Sequence, residues 1–269
     1  MKAMILAAGL GTRLRPLTDD RPKALVTVAG RTLLEIALAR LRAFGVREAI
    51  VNAHHYAEMI VDYLKANNNF GMRIEVSREE ELLDTGGGLK KAAQFFIGSQ
   101  EQFIVHNVDV ISTIDLGRMM RFHAEQGALA TLAVQERESS RLLLFDEQGR
   151  RCGRRSESDG ELHVPRSQNR DLGHPADWSS WSPRSENPDL GHPAEQALGF
   201  CGIHVLSPQI FAKMEEEGAF SIIDVYLRLA AQGDKIIAYR ADDCSWRDLG
   251  RPESILQAAL DANVLSQLT

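Results

Sequence analysis

The residues with the clearest chemical meaning stand near the start of the chain. An apolar run from Ala3 to Ala8 gives way to Gly9-Leu10-Gly11-Thr12-Arg13, and Arg15 and Lys23 follow with little acidic compensation. Small residues in such a turn leave several backbone N–H groups open, and cations beside them favour an anion. A strand, a glycine turn and nearby cations together form a cradle for a polyphosphate. Pro22 restricts the approach to Lys23, which suits a lysine that must point to one place. The glycine pattern alone is also that of an ordinary tight turn. It lacks the third glycine of the dinucleotide fingerprint and the Gly-Lys-Ser/Thr ending of a Walker loop.

An acid stands at the end of a later apolar strand, in His106-Asn107-Val108-Asp109. A carboxylate there can hold a hard cation against a phosphate, although Asp109 could equally be a helix cap, with Thr113 and Asp115 close by. Asp84-Thr85-Gly86-Gly87-Gly88 before an apolar segment reads as a flexible helix cap, or as backbone that a flat base could approach.

These residues need a scaffold, and the hydrophobic periodicity supplies one. Helical spacing over Thr32–Phe44, Tyr56–Leu64, Gly88–Phe95, Leu116–Glu125 and Ile222–Ala231 alternates with strand-like runs at 3–8, 48–53, 72–77, 102–106, 129–135, 197–206 and 236–240. A hairpin is expected over Arg141–Cys152, a short strand ending at Trp246-Arg247-Asp248, and a last helix from Arg251 to about Leu265. Alternating strands and helices predict an α/β fold with a largely parallel sheet covered on both faces. Ligands in such sheets sit beyond the carboxyl ends of the strands, where the glycine turn and Asp109 both fall.

Composition narrows the function. The chain has 269 residues, 44% of them apolar, enough for one α/β core. A net charge of −6 argues against a nucleic-acid partner, which needs a basic face. Cys152, Cys201 and Cys244 are few and far apart, which fits neither a disulfide framework nor a zinc site and suits a reducing compartment. No run approaches 18 apolar residues, so neither a membrane span nor a separate signal segment is expected, and the cytoplasm is the expected location. The segment 156–195 is rich in Ser, Pro, Asp, Arg and Gly, and Arg166–Ala176 returns as a near-copy at Arg184–Ala194. It is expected to be an exposed, mobile insertion in a single domain spanning 1–269. Its repeated His174 and His192 lack acid or cysteine partners at zinc spacing.

The opening stretch, with Arg15-Pro16-Leu17-Thr18 and Pro22-Lys23 after the glycine turn, resembles the signature of the sugar-1-phosphate nucleotidyltransferases. Three later stretches agree with it in order: Glu79 to Gly87, Gly199-Phe200-Cys201-Gly202, and Trp246-Arg247-Asp248-Leu249-Gly250-Arg251-Pro252. The resemblance implies a Rossmann-like, mostly parallel mixed sheet flanked by helices, without the left-handed β-helix that many members carry. It implies that an NTP and a sugar 1-phosphate yield an NDP-sugar and pyrophosphate. Arg13 and Lys23 would be the catalytic cations, and Asp109 and Asp248 would share Mg²⁺. The nucleotide would meet Leu6, Ala7, Ala8, Gly9, Gly11, Thr12, Glu79, Asp84, Thr85, Gly86 and Gly87. Asn107, Gly199, Phe200 and Gly202 would border the sugar. Val108 stands where the family usually has glycine, which is expected to narrow the space beside Asp109.

Within the family the resemblance is to short bacterial enzymes that join UTP to N-acetylmuramate 1-phosphate. Guanylyltransferases using GTP with mannose or heptose 1-phosphate are a second reading, and a silent nucleotide-sugar-binding regulator is a third of another class. A monomer or homodimer is expected, with no nucleic-acid or membrane partner.

Overall fold

The computed structural model describes residues 1–156, 160–163 and 196–261. The first half contains β1 (Lys2–Leu6), the ribbon β2 (Thr27–Val28) and β3 (Arg31–Thr32), α1 (Leu33–Ala43), β4 (Glu48–Ala53), α2 (Ala57–Ala66), β5 (Arg73–Arg78), α3 (Asp84–Lys91), α4 (Ala93–Phe96), β6 (Phe103–Asn107), β7 (Val110–Ser112), α5 (Leu116–Gln126) and β8 (Ala130–Gln135). The second contains β9 (Arg141–Phe145), β10 (Arg151–Ser156), β11 (Gly160–His163), β12 (Gln196–Leu206), α6 (Ile222–Ala231), β13 (Ile236–Arg240), β14 (Trp246–Asp248) and α7 (Pro252–Leu260).

The main sheet is mixed. Its strands run in the order β11-β10-β9-β12-β6-β1-β4-β5, and β8 pairs with both β12 and β13. The block β6-β1-β4-β5 is parallel, whereas β12 runs antiparallel to β6, β8 and β9. Strands of the parallel block are covered on both faces, and their side chains divide by the pleat. Ala3, Ile5 and Ala7 enter one apolar cluster with α1, whereas Met4 and Leu6 enter another with α6. Burying an aliphatic chain of this size stabilises the fold by roughly 1.5–3 kcal/mol, so β1 is fixed at the centre.

Local signals agree with these elements. The Thr32 hydroxyl accepts from the Glu35 N–H at 3.0 Å and opens α1, and Asp115 caps α5 in the same way at 2.8 Å. Gly127, with φ +55°, closes α5.

Sequence expectations change at some points. Residues 160–163 form β11, paired with β10, so the sheet extends into the stretch expected to be an insertion. The rest of that stretch, with both histidines of the near-repeat, lies outside the described residues, as does 262–269, the expected end of the last helix. The glycines at 86–88 lie inside α3, which starts at Asp84, rather than ahead of a helix. Val108 is 1% exposed and packs into the α1-side core, so its side chain is taken up there. No helix among the described residues is long and apolar enough to cross a membrane.

Candidate active site

Parallel register brings the candidate residues to one rim. Leu6 of β1 stands level with Asn52 of β4 and Asn107 of β6, so the segments after all three strands emerge together. Asn52 ties this rim. Its side-chain oxygen accepts from the Ala7 N–H at 2.7 Å, and its amide donates to Glu79 Oε1 at 2.7 Å. Glu79 Oε2 in turn accepts from the Leu83 N–H at 3.1 Å, just ahead of α3.

The glycine turn leaves the rim beyond Ala8. Gly11 adopts φ +65°, and its carbonyl accepts from the Leu14 N–H at 2.8 Å and from the Thr18 hydroxyl at 2.9 Å. A Cβ at Gly11 would lie 3.1 Å from Lys23 Cβ, and one at Gly9 would lie 3.4 Å from Lys23 Nζ. Lys23 therefore lies across the turn, and Gly11 makes room for it. Among the described residues, the N–H groups of Ala8, Gly9, Leu10 and Gly11 have no hydrogen-bond acceptor. Four open donors beside an ammonium form an anion-binding concavity. Thr12 and Arg13 are exposed at its outer edge.

Lys23 Nζ lies 3.0 Å from Asp109 Oδ2, and both side chains are largely buried. Burial opposes ionisation of Asp109, but the Lys23 charge and hydrogen bond, assisted by Arg13, hold the carboxyl below the ordinary carboxylate value. The second carboxylate arrives on β14, which pairs antiparallel with β7 and sets Asp248 opposite Val110. The Leu249 N–H donates to the Asp109 carbonyl at 2.8 Å, so both acids share one short ribbon. Asp248 Oδ1 accepts from the Gly250 N–H at 2.6 Å. A Cβ at Gly250 would lie 2.8 Å from both Arg13 Nη2 and Asp248 Oδ1. Arg13, Lys23, Asp109 and Asp248 thus converge, and Gly250 is the opening that lets Arg13 approach. The role of Gly250 was readable only as part of the Trp-x-Asp-x-Gly-x-Pro spacing.

Two cavities meet beside this cluster. One of about 350 Å³ is lined by Leu6, Ala8, Gly9, Lys23 and Leu82 among others. The second, about 580 Å³, lies between β9, β10, β12 and the start of α6. They share Asp84, Thr85 and Asn107 as a common wall.

The residues expected around the base divide differently. Glu79 is 4% exposed and both its oxygens are engaged, so it positions the rim. A Cβ at Gly86 would fall 2.4 Å from the Phe220 ring, and one at Gly87 would fall 2.4 Å from the Gly218 carbonyl oxygen. These glycines admit the 218–220 segment rather than offering an open face. Thr85 caps α6 by accepting from the Ile222 N–H at 3.0 Å, while still lining both cavities.

On the other side, Phe200 lines the larger cavity. Gly202 has φ +70° at an irregularity of β12, and a Cβ there would meet the Asn107 amide at 2.7 Å. Gly199 makes room for Arg137, which donates to the Phe200 carbonyl at 2.8 Å and lies 4.0 Å from the Trp246 ring centre. His204 also lines this cavity, and burial pushes its imidazole down to about 3, so it is neutral and donates no charge. Arg137 and His204 carried no motif signal: His204 lies on the antiparallel strand β12, and Arg137 follows β8, which pairs with it.

Residues 2–142 match the nucleotidyl transferase family. Over 260 residues, 95% of this chain and 94% of the relative, the sequence is 36% identical to N-acetylmuramate alpha-1-phosphate uridylyltransferase of Caulobacter vibrioides. This chain belongs to the nucleotidyl transferase family. A UTP–glucose-1-phosphate uridylyltransferase of Synechocystis is 36% identical over half of this chain and 37% of its own length. The fold of this nucleotidyl transferase is also that of HddC from Yersinia pseudotuberculosis, with TM-score 0.68 at 21% identity over 96% of this chain and 98% of that one.

Proposed function

We propose that this nucleotidyl transferase converts an NTP and a sugar 1-phosphate into an NDP-sugar and pyrophosphate, with UTP and N-acetylmuramate 1-phosphate as the preferred pair. The observation that carries the reading is the convergence of Lys23, Arg13 and two carboxylates beside unpaired backbone donors. The relative that matches along nearly the whole chain supports the choice of UTP and the sugar. Relatives named mannose-1-phosphate guanylyltransferase match about half of the chain and keep GTP as the second reading.

The acceptor phosphate is already a nucleophilic anion, so no general base is needed. One of its oxygens attacks the α-phosphorus in line and pyrophosphate departs. The residues here align two anions and neutralise them. The open amides of Ala8–Gly11 and the Arg13 guanidinium would hold the β- and γ-phosphates. Lys23 would neutralise the α-phosphate and the incoming phosphate, exchanging Asp109 for them.

The acids suit a magnesium ion. Among the described residues no group of three or more His, Cys, Asp or Glu could hold a metal unaided. Magnesium binds through one or two carboxylates with phosphate oxygens and water, which Asp109, Asp248 and a triphosphate supply. Asp109 and Asp248 would hold Mg²⁺ there, and the ion would supply positive charge to offset that of the phosphates. Asp109 already faces a cation, the Lys23 ammonium, and so is built for one. Reaction in the cytoplasm, by a monomer or homodimer, completes the proposal.

A matrix of UTP, GTP, CTP, dTTP and ATP against phosphorylated sugars, read by pyrophosphate release, tests it. Release with no pair, despite nucleotide binding, would leave a silent binding protein instead.

A further inference from the structure

Arg137 stands where the larger cavity meets the strand that carries Asp248. It follows β8 just beyond the pairing of Gln135 with Gly199, lines the larger cavity and is half-buried. Its Nη2 donates to the Phe200 carbonyl at 2.8 Å, and its guanidinium carbon lies 4.0 Å from the Trp246 ring centre. A Cβ at residue 199 would fall 2.7 Å from Arg137 Nε, so the glycine there lets the guanidinium reach both partners. Arg137 Nε is itself buried without a hydrogen-bond partner, a penalty that mere filling of space would not require.

Trp246 is held at its edge as well as its face. Its Nε1–H donates to the Cys201 carbonyl at 2.8 Å, so both contacts fasten the indole to the stretch of β12 where the strand becomes irregular. Residues 246 and 248 lie on the same face of β14, because side chains alternate along a strand. The ribbon that bears them is small: β14 has three residues and among the described strands pairs only with β7. A ribbon of that size is marginal without support from elsewhere. Val110, opposite Asp248, also packs against β12, its Cγ2 3.1 Å from where a Cβ at Gly202 would stand. The place of Asp248 is therefore set in part by how β12 holds β14.

A guanidinium stacks flat on an indole and keeps its fork free for a carbonyl, so one side chain can grip two elements at once. Resting on the nucleotidyl-transfer reading above, we propose that Arg137 is a positioning residue for Asp248. It clamps Trp246 against β12, and through the indole it fixes the β14 carboxylate beside the reacting phosphates. Because Arg137 also lines the larger cavity, the clamp joins that cavity to the carboxylate.

A double-mutant cycle separates this role from a general structural one. Arg137→Ala should lower kcat about 3- to 30-fold, the range of a cation–π contact from exposed to desolvated, with KM for UTP changed less than about twofold. In the Asp248→Asn background the same substitution should cost less than about twofold more, because the group it acts through is already gone. Arg137→Lys keeps a cation over the indole and should restore part of the loss, which guards against a folding defect in the alanine variant. Mn²⁺ titration with a non-hydrolysable UTP analogue, followed by electron paramagnetic resonance, reads the carboxylate without turnover. Mn²⁺ affinity should fall about 3- to 30-fold in Arg137→Ala. Equal losses from Arg137→Ala in both backgrounds, or a Mn²⁺ affinity like that of the wild type, would overturn the inference and leave nucleotidyl transfer standing. A wild type that releases pyrophosphate with no pair of NTP and sugar phosphate would overturn it together with the proposed function.

Discussion

Lys23 and Asp109 form an ion pair at 3.0 Å, between the loop that returns after the glycine turn and the acid that closes β6. The pair places a largely buried cation and a largely buried anion where two parallel strands end together. A phosphate entering there exchanges one partner of an existing pair, so neither charge waits unpaired in a low-dielectric site.

Removing the cation should be severe. Lys23→Ala is expected to lower turnover by roughly 10²–10³-fold, as for loss of a preorganised charge that acts on the transition state. Pyrophosphate release by the purified variant checks this, and near-normal turnover would exclude Lys23 from the chemistry.

The two carboxylates should fail alike although they come from opposite halves of the chain. Asp109→Asn and Asp248→Asn keep their shape and should each cost orders of magnitude in turnover; Asp248→Asn should leave the melting temperature close to wild type, whereas Asp109→Asn, which leaves Lys23 without its partner, should lower it. Chelation of divalent ions should abolish the wild-type activity, and added Mg²⁺ should restore it. Full activity of either variant in chelator would contradict the metal role.

Asp109 also links stability to pH. Its native carboxyl is held below the ordinary value, since the Lys23 interaction outweighs burial. Such a group stabilises the fold above its unfolded pKa of about 3.9, and the contribution disappears as pH falls through the lower native value. The melting temperature should drop across that acid range, and Lys23→Met should weaken the dependence because burial then acts without the ammonium. Identical acid profiles for the two proteins would show that the pair contributes nothing.

Gly250 should tolerate no side chain. A Cβ at this position overlaps Arg13 Nη2 and Asp248 Oδ1, both at 2.8 Å. Gly250→Ala should raise KM for the nucleotide and lower turnover, with a modest stability loss of about 1–3 kcal/mol from overpacking. Unchanged kinetics would mean that Arg13 has no need of that approach.

The Asn52 bridge is a structural prediction of another kind. Asn52→Leu strands the Ala7 N–H and half of Glu79 in a buried place, at a cost of about 1–3 kcal/mol for each unsatisfied group. Denaturant unfolding should register this loss, and a variant as stable as the wild type would mean that water replaces the bridge.

Much of this architecture was legible in the sequence because its signals are local. The apolar run of β1, the helical spacing of α6, and the glycine turn with its cations each need only a few neighbouring residues. The sequence also indicated two acids at strand ends, and the β7–β14 ribbon brings them together. Less was readable where partners are remote. Gly86 and Gly87 looked like open backbone, since nothing local announces that residues 218–220 fill the space above them. Glu79 read as a ligand for a base, whereas its partners are Asn52 and the Leu83 N–H. Arg137 had no motif, and only the pairing of β8 with β12 carries it to Trp246.

The late position of β14 has a consequence for synthesis on the ribosome. The glycine turn, Lys23 and Asp109 emerge early, but Asp248 cannot join them until residues near 246–250 have been made and have docked on β7. The carboxylate pair proposed for transfer is therefore completed only by the last strand of the fold, long after the glycine turn, Lys23 and Asp109 have been made.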